Sequence, residues 1–417
     1  MFYLEIILGI DVVMVSNDSK DCLVRLDHEL EKKGVDSVLA IGSSTSDNPE
    51  LFYLAGCNLP RGGIFVKKVG QAPILIVSNI DLGNASEGKI REVKTYSDYN
   101  YDQLLRSDLK NAYNNLISRV FSDIGVNGPI VIYGTNKAST ILKISSKLKK
   151  SGYKTYVESS PTALELTMMI KSKEEIDAIR KVGSDTCKVM DKTISFLSKC
   201  KRDNRKLLFK DKPLTVGHVK KIIRTFLAQK NLINIGEIIF ALSPQSAAPH
   251  YAGDDLEILR ESQLIVFDVF PRGSNGYCFD VTRTFSFGKP PTKVKKMYDA
   301  VNEVHSKVMD FIDCEHSPSK TMNFACDLFE KRGFPMLKSK NVSEGFIHSL
   351  GHGVGLTIGE RPYLSLHSDD EFQEGQVFTI EPGLYFKKYG GIRIEDTVAM
   401  INGKPKSLTQ IEKKMTF

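Results

Sequence analysis

The chain has 417 residues, of which 41% are hydrophobic and 26% are charged, and its formal net charge at pH 7 is +7. These proportions are ordinary for a globular protein, and the length exceeds what one hydrophobic core usually organises, which argues against a single domain. The charge is only mildly basic, so it does not by itself indicate a nucleic-acid-binding protein.

The N-terminal segment and the cysteines bear on the cellular compartment. Residues 1–15 read MFYLEIILGIDVVMV, an apolar run that Glu5 and Asp11 interrupt and that lacks a basic start. Such a run is too short and too interrupted for a membrane span, and it lacks the layout of a signal peptide. The seven cysteines form no CxxC pair and have no regular spacing, which is typical of isolated reduced thiols. We therefore expect a cytoplasmic protein without a membrane segment.

Between residues 20 and 160, short apolar strands alternate with helical stretches. The predicted strands are residues 37–41, 63–66, 74–77 and 130–133, and the clearest predicted helices are residues 23–33 and 141–150. This order predicts an α/β domain with a mixed or parallel sheet, which we place at residues 1–165. The segment contains no glycine-rich phosphate loop and no cluster of candidate metal ligands.

A second domain is predicted from residue 166 to residue 417. Ser172 and Glu175 have the Ser-x-x-Glu spacing of a capping box, which marks the start of its first helix. The apolar residues Ile176, Ile179 and Val182 then follow at helical spacing. Further helices are predicted near residues 216–229, 293–311 and 321–332. Because strands mix with these helices without a strict βαβ repeat, we predict an α+β fold.

The densest basic stretch of the chain is KCKRDNRKLLFKDK, at residues 199–212. A charge run of this kind is more often a solvated loop or hairpin than a binding patch. Together with the modest net charge, this interpretation argues against a nucleic-acid partner.

Five residues of metal-ligating type are spread over residues 268–395. They are Asp268 in LIVFDVF, Asp280 in YCFDVTRTF, His352 in HSLGHGVG, Glu381 in VFTIEPG and Glu395 in GGIRIEDT. Four carboxylates and one imidazole are too many for a single structural zinc ion, which normally takes four ligands, mostly Cys and His. They suit two neighbouring divalent ions that share bridging carboxylates and activate a water. The pattern therefore predicts a two-metal hydrolase.

The local context supports these ligand roles to different degrees. A lone aspartate at a strand end, such as Asp268, is usually a turn former or a helix cap. Glu381 and Glu395 are harder to explain without a cation, because a buried carboxylate in an apolar strand is costly unless it is paired or metal-bound. His352 stands between glycines that allow close backbone approach, whereas we assign His348 a supporting or structural role.

Side chains alternate between the two faces of a strand, and this alternation predicts which residues lie beside the candidate ligands. Thr282 shares a face with Asp280, so it is predicted to hold a neighbouring carboxylate or a metal-bound water. Arg393 shares a face with Glu395, so it is predicted to orient the carboxylate ligands from behind.

Four stretches of the second domain resemble the pita-bread-fold metallopeptidases, and they occur in the family's order. They are FDVF…GYCFDVTRTF, FIHSLGHGVGL, VFTIEPGLY and GGIRIEDTV. The family includes the Xaa-Pro dipeptidases (prolidases), the Xaa-Pro aminopeptidases and the methionine aminopeptidases. The resemblance implies a C-terminal pita-bread (creatinase/aminopeptidase-like) catalytic domain and an N-terminal domain like that of creatinase. It also implies that the five residues above bind two divalent ions of Mn, Co, Fe or Zn.

The resemblance implies further roles for single residues. Glu381 is the expected general base and then the acid that protonates the leaving nitrogen. His250, in SPQSAAPHY, occupies the place of a family histidine that helps to stabilise the reacting carbonyl. Arg361 and Arg393 are expected to contact the substrate, Arg361 because Gly359 replaces a histidine that contacts substrate in many family members. We expect a Gly359→His variant to be tolerated or to restore a more ordinary Xaa-Pro preference.

The N-terminal domain favours the Xaa-Pro branch, because methionine aminopeptidases lack such a domain. We therefore expect an Xaa-Pro dipeptidase that cleaves the N-terminal bond of small peptides and, by resemblance, forms a homodimer. Two alternatives stay open: an Xaa-Pro aminopeptidase acting on longer peptides, and a non-hydrolytic family member acting as a nucleic-acid or protein binding module. Non-hydrolytic relatives and the metal-independent creatine hydrolases typically lose metal ligands, whereas all five are present here.

Overall fold

The computed structural model describes residues 22–338 and 342–417. The chain divides into two compact units, Met1–Thr167 and Met168–Phe417, of which the first is described from residue 22 onward. The apolar N-terminal run used in the compartment prediction therefore lies outside the described residues. Within the described part, no helix is long and apolar enough to cross a membrane. None of the seven cysteines forms a disulfide, as their spacing predicts.

The first unit is built on one six-stranded sheet of mixed direction. Its strands are β1 (Ser37–Gly42), β2 (Gly63–Lys68), β3 (Ile74–Val77), β4 (Glu92–Thr95), β5 (Pro129–Tyr133) and β6 (Lys154–Thr155), in the order β4-β3-β2-β1-β5-β6. The pairs β1–β2 and β2–β3 are antiparallel, whereas β3–β4, β1–β5 and β5–β6 are parallel. The prediction of an α/β unit with a mixed sheet is confirmed.

Helices pack on this sheet through apolar side chains. They are α1 (Cys22–Lys32), α2 (Pro49–Ala55), α3 (Leu82–Ser86), α4 (Tyr101–Ser107), α5 (Ala112–Asp123) and α6 (Ala138–Lys150), and α7 (Ala163–Met169) crosses the boundary between the units. Residues of α5 and α6 share a core with β1 and β5. Asn48 begins α2, because its Oδ1 accepts from Leu51 N at 3.0 Å while its Nδ2 donates to Ile41 O at 3.0 Å. One side chain thus caps the helix and ties it to β1.

The second unit mixes helices and strands, as the α+β prediction requires. Its helices are α8 (Lys173–Ser198), α9 (Val216–Ala228), α10 (Thr292–Phe311) and α11 (Pro318–Lys331). Its strands are β7 (Lys201–Asp203), β8 (Lys206–Phe209), β9 (Lys212–Pro213), β10 (Leu232–Asn234), β11 (Ile239–Leu242), β12 (Leu264–Val269), β13 (Pro271–Gly273), β14 (Val281–Ser286), β15 (Gly351–Val354), β16 (Ile358–Leu364), β17 (Val377–Ile380), β18 (Gly383–Phe386), β19 (Gly390–Arg393), β20 (Asp396–Ile401) and β21 (Lys404–Ser407). The predicted helices are all present, with ends shifted by a few residues at most.

The predicted capping box begins α8. Ser172 Oγ accepts a hydrogen bond from Glu175 N at 3.2 Å, and Glu175 Oε2 accepts one from Ser172 N at 2.7 Å. Amide groups at the start of the helix, which have no partner inside it, are satisfied in this way. Ile176, Ile179 and Val182 are buried, so the apolar face predicted from their spacing packs into the core.

Two sheets of this unit carry the candidate site, and a separate pair of helices packs on each. The first sheet has the order β11-β12-β14, and the second has the order β16-β15-β17-β20-β21. Helices α8 and α9 share a core with β11, β12 and β14, whereas α10 and α11 share a core with β17 and β20. Every residue of β12 is buried, as its unbroken apolar run predicts. This packing fixes the strands whose ends carry the predicted ligands.

The basic stretch at residues 199–212 forms the small antiparallel sheet β7-β8-β9. Of the two expected forms, a solvated loop or a hairpin, the stretch adopts the hairpin. Lys201 pairs with Asp211 at 3.2 Å, and Arg202 pairs with Glu261 at 3.3 Å. Exposed ion pairs of this kind contribute little to stability, but they reduce the local excess of positive charge.

Candidate metal centre

The second unit contains a cavity of about 570 Å³ that all five predicted ligands line. Their positions are Asp268 in β12, Asp280 directly before β14, His352 in β15, Glu381 directly after β17 and Glu395 between β19 and β20. Glu381 N donates to Leu350 O at 2.8 Å, and Glu395 N donates to Thr282 O at 3.1 Å. The ends of strands from both sheets therefore meet here, and backbone hydrogen bonds hold the two glutamates in place.

Three of the five side chains are close enough to share one ion. Ligand atoms of Asp280, His352 and Glu395 all lie within 4.8 Å of one another. His352 Nε2 is 3.8 Å from Asp280 Oδ2 and 3.6 Å from Glu381 Oε1. Atoms that bind one cation over bonds of ~2.0–2.2 Å are roughly 3–3.5 Å apart. The observed spacing is close to that requirement.

Two carboxylate oxygens at this site have no hydrogen-bond partner within the described residues. They are Asp268 Oδ1 and Asp280 Oδ1, and both residues are buried. A buried carboxylate without a partner is costly, and a divalent cation is a partner that removes this cost. Oxygen donors with one imidazole also suit ions such as Mn, Fe, Co or Zn better than ions that prefer sulfur. The residues present therefore fit bound divalent ions.

The carboxyl groups also raise one another's pKa values. Burial, followed by the charges of Glu395, Asp268 and Glu381, raises the pKa of Asp280 well above its usual value. Burial also raises the pKa of Glu381, although the positive charge of Arg393 opposes this rise. The pKa of Glu395 is raised by burial and then by Glu381 and Asp268. Carboxylates crowded in this way stay ionised together only when cations lie beside them.

Arg393 and Thr282 hold the carboxylates from behind. Arg393 donates through Nη2 to Asp268 Oδ2 and through Nε to Thr282 Oγ1, the second bond being 3.1 Å long. Thr282 Oγ1 in turn donates to Glu395 Oε2 at 2.6 Å. Arg393 and Thr282 are both buried. Both side chains thus contact carboxylates of the candidate site, as expected, but strand alternation did not predict which carboxylates these are: Thr282 contacts Glu395, and Arg393 contacts Asp268.

A hydrogen-bonded chain that the sequence did not reveal continues from Arg393 to His348. Arg393 Nη1 donates to the Tyr385 hydroxyl at 2.8 Å. His348 Nδ1 lies 2.7 Å from Ser349 O, so the ring donates there and its Nε2 accepts from the Tyr385 hydroxyl at 3.1 Å. Burial, followed by the charge of Arg393, lowers the pKa of His348 to about 3, which keeps the ring neutral. The sequence gives one indication that Tyr385 is near the site: it lies on β18, the strand that follows Glu381.

Two further side chains on the cavity are open to solvent. His250 lines the cavity and is exposed, so its ring is accessible to a bound molecule. Glu237, an exposed residue shortly before β11, also lines the cavity and was not predicted. No alternation or motif marks Glu237, because it lies in an irregular connection between β10 and β11.

The structure does not bring Arg361 to this cavity. Its Nη1 donates to Asp369 Oδ1 at 3.0 Å and to Asp370 Oδ1 at 2.5 Å, and its guanidinium lies 5.4 Å from the centre of the Tyr363 ring. These contacts engage the guanidinium with the following loop, whereas the nearby Ile358 does line the cavity. The role of Arg361 in substrate binding stays a prediction that its position does not support.

The backbone conformation at position 359 explains why a glycine is found there. Its φ is +86°, and it lies where the register of β15 and β16 shifts between the pairs Gly353–Glu360 and Val354–Ile358. A Cβ at this position would meet no atom within 4 Å. However, L side chains rarely adopt such a φ, so the backbone would be strained. This conformation therefore argues against the expectation that Gly359→His is tolerated.

We expect Arg361→Ala to destabilise the protein more than it impairs a reaction in the cavity. Loss of the charged hydrogen bonds to Asp369 and to buried Asp370 should lower the free energy of unfolding by about 1–3 kcal/mol. Urea unfolding and kcat/KM, measured on Arg361→Ala and Arg361→Lys, check this. If stability is unchanged but kcat/KM falls by more than about tenfold, equal to ~1.4 kcal/mol, the result would instead support a role of Arg361 in substrate binding.

Comparison with known proteins agrees with this geometry. The model of metallopeptidase family M24 matches residues 177–402, more than half of the chain. The chain is 28% identical over 368 residues to the Xaa-Pro dipeptidase of Pyrococcus furiosus, which covers 88% of this chain and 92% of that protein. The solved structure of the prolidase from Pyrococcus furiosus aligns with a TM-score of 0.71 at 24% identity, over 93% of this chain and 99% of that one. The X-Pro aminopeptidase from Thermotoga maritima aligns with a TM-score of 0.75 at 20% identity, over 93% and 99%.

The solved structures support the fold, and the family model supports the family. The solved structures share the α+β architecture, with an N-terminal α/β unit and a C-terminal pita-bread domain, so the predicted fold is confirmed. The matched residues contain all five predicted ligands, and the match covers the motifs that carried the resemblance. The chain belongs to metallopeptidase family M24, and it is a metal-dependent peptidase.

Proposed function

We propose that this chain is an Xaa-Pro dipeptidase, which hydrolyses the N-terminal peptide bond of small peptides. The observation that carries the proposal is the convergence of five candidate ligands on one cavity in a member of family M24. The proline preference is supported by the relative from Pyrococcus furiosus named Xaa-Pro dipeptidase, which matches most of both chains.

We further propose that the five residues hold two divalent ions of Mn, Co, Fe or Zn. Such ions lower the pKa of a bound water and polarise the carbonyl of the scissile bond. Asp280, His352 and Glu395 have the spacing of ligands to one ion. Asp268 and Glu381 lie on the same cavity, and Asp268 carries a buried oxygen without a partner in the described residues. These features support a second ion beside the first.

Glu381 and His250 are the residues that we propose act directly on the substrate. A carboxylate oxygen of Glu381 accepts the proton of the attacking water and then delivers it to the leaving nitrogen. His250 donates a hydrogen bond to the carbonyl oxygen as negative charge develops there. Arg393 lines the cavity, so its predicted contact with the substrate stays a prediction. Because its donors are engaged by Asp268 and its other buried partners, we propose that it acts mainly through the carboxylates.

An apolar part of the cavity wall is proposed to receive the proline ring. Ile239, Phe270 and Ile358 contribute this part. Proline has no hydrogen on its nitrogen, so a site for an Xaa-Pro bond cannot rely on that donor. Apolar contact with the ring is the remaining source of selectivity.

An Xaa-Pro aminopeptidase acting on longer peptides is the second candidate function. The X-Pro aminopeptidase from Thermotoga maritima shares the fold along nearly its whole length, so the architecture does not separate the two activities. A non-hydrolytic binding module has less support, because all five ligand residues are retained and line one cavity.

Substrate length and the residue after the scissile bond test the proposal. We expect kcat/KM for an Xaa-Pro dipeptide to exceed that for an Xaa-Pro-Yaa tripeptide and for an Xaa-Ala dipeptide by about tenfold or more, equal to ~1.4 kcal/mol for each comparison. The assay follows release of the C-terminal product by metal-loaded protein. A preference for the tripeptide would favour the aminopeptidase, and no hydrolysis of any of the three would favour a binding role.

We also propose that residues 1–165 and 166–417 are the two domains, that the protein acts as a homodimer, and that it works in the cytoplasm. The absence of disulfides among the seven cysteines supports a reducing compartment. Resemblance to the family supports the dimer.

A further inference from the structure

The last residues of the chain are bonded to β14, the strand that directly follows Asp280. Ser286 N donates to Met415 O at 2.8 Å, and Phe417 N donates to Ser286 O at 3.1 Å. The Phe417 ring also packs edge-on against Phe285, with the ring centres 5.7 Å apart. The C-terminal segment, residues 409–417, therefore lies against a strand of the candidate metal centre.

Arg283 joins this segment to the metal-ligand candidate Glu395. Its Nη1 donates to Glu395 O at 2.6 Å, and its Nη2 donates to Ile411 O at 2.8 Å and to Asp396 Oδ1 at 2.7 Å. Arg283 is only 3% exposed, so water competes little for these bonds. A planar guanidinium presents its donors in a fixed arrangement. It therefore ties the carbonyl of Glu395 and the side chain of the next residue to the C-terminal segment.

Lys413 completes a cluster of charges around Asp396. Lys413 Nζ lies 2.7 Å from Asp396 Oδ2 and donates to His305 Nδ1 at 3.1 Å. His305 Nε2 lies 3.3 Å from the same carboxylate oxygen. Asp396 is thus held at one oxygen by Arg283 and at the other by Lys413. The carboxylate and the imidazole are buried, whereas the Lys413 side chain is 27% exposed, so substitution of this lysine does not empty a closed core.

We propose that Lys413 is a positioning residue, which acts through Asp396 and Arg283 to set the place of Glu395 and hence the affinity of the metal centre. Glu395 is held at its amide by Thr282 O and at its carbonyl by Arg283. Asp396 directly follows Glu395, and Arg283 donates hydrogen bonds to both residues. Loss of the Lys413–Asp396 contact therefore loosens the hydrogen bond between Arg283 and the carbonyl of Glu395. The inference rests on the proposed function, since it requires ions at the five candidate ligands.

The test is calorimetric titration of metal-free full-length protein with Mn2+. Groups behind metal ligands typically change metal affinity by about 10–100-fold, so we expect Lys413→Ala to raise the Kd of at least one Mn2+ by about this factor. Lys413→Arg keeps the charge and should stay far closer to wild type. Lys406→Ala is the matched control, because Lys406 is an exposed lysine on β21 and none of the contacts above involves it.

The unfolding temperature of the metal-free variants separates positioning from general stability. A Lys413→Ala protein that unfolds at lower temperature but binds Mn2+ as tightly as wild type would overturn the inference. If Lys413→Ala does not fold, Lys413→Met retains the aliphatic stem and takes its place, with the same expected loss of affinity. If wild-type protein binds no Mn2+, the titration is repeated with Co2+, Fe2+ and Zn2+, and wild-type protein that binds none of the four would refute the proposed function itself. Equal Kd values for wild type, Lys413→Ala and Lys413→Met would refute only the role of Lys413.

Discussion

Chelator-treated protein is expected to lose its hydrolysis of Xaa-Pro dipeptides and to regain it when Mn2+ or Co2+ is added. Asp268 and Asp280 each have a buried oxygen without a partner in the described residues, and neighbouring carboxylates add to burial in raising the pKa of Asp280. Without cations these carboxylates take up protons. The pKa of a water in the cavity is then not lowered, so the water does not become a nucleophile. The initial rate of proline release, measured before chelation, after chelation and after metal addition, checks this.

Chelator that has been saturated with Mn2+ before use is the control, and it should leave the rate unchanged. Full activity in a preparation that elemental analysis shows to be free of metal would contradict the metal-dependent mechanism.

Glu381→Gln is expected to lower turnover by about 10²–10⁴-fold, the usual effect of losing a general acid–base group. Glutamine preserves the shape of the side chain but cannot take up the proton of the attacking water. The wild-type carboxylate lies on the cavity, so it is placed to accept and return that proton. The measurement is kcat for an Xaa-Pro dipeptide, with the metal content of each preparation determined alongside.

Glu371→Gln makes the same substitution at an exposed residue and serves as the matched control. Near-normal turnover of Glu381→Gln at full metal content would mean that another residue is the base. A low turnover that follows loss of metal, and that excess Mn2+ restores, would assign Glu381 to metal binding alone.

Much of the candidate site could be predicted because its signals are local. The apolar run of β12 marks a buried strand, and Glu381 directly follows the apolar strand β17, where a carboxylate without a partner is costly. Alternation placed Thr282 and Arg393 on the faces that meet the carboxylates, and the structure shows these contacts. The Ser172 capping box depends on residues three apart, so it too is visible in the sequence.

Contacts between distant parts of the chain could not be predicted in this way. Tyr385 bonds to His348, 37 residues away, and although alternation predicts the face of Arg393, it does not predict that its carboxylate partner is Asp268, 125 residues away. Neither periodicity nor spacing encodes which strand ends will meet. The contact between Lys413 and Asp396 could not be predicted either, because it depends on how the C-terminal segment packs against β14.

The prediction for Arg361 shows a different limit. Its place two residues after Gly359 suggested that it substitutes for a missing histidine. A side chain with several rotatable bonds can turn toward several neighbours, and here Asp369 and Asp370 engage it. The positive φ of Gly359 is likewise invisible in the sequence, since it arises from the register shift between β15 and β16.

The central claim is that five side chains hold two divalent ions, and a crystal structure of Mn2+-loaded protein with anomalous diffraction tests it most directly. The account predicts two manganese peaks in the cavity of about 570 Å³. Their ligands should come from Asp268, Asp280, His352, Glu381 and Glu395. A single peak, or peaks bound by other side chains while these five remain without metal, would contradict it.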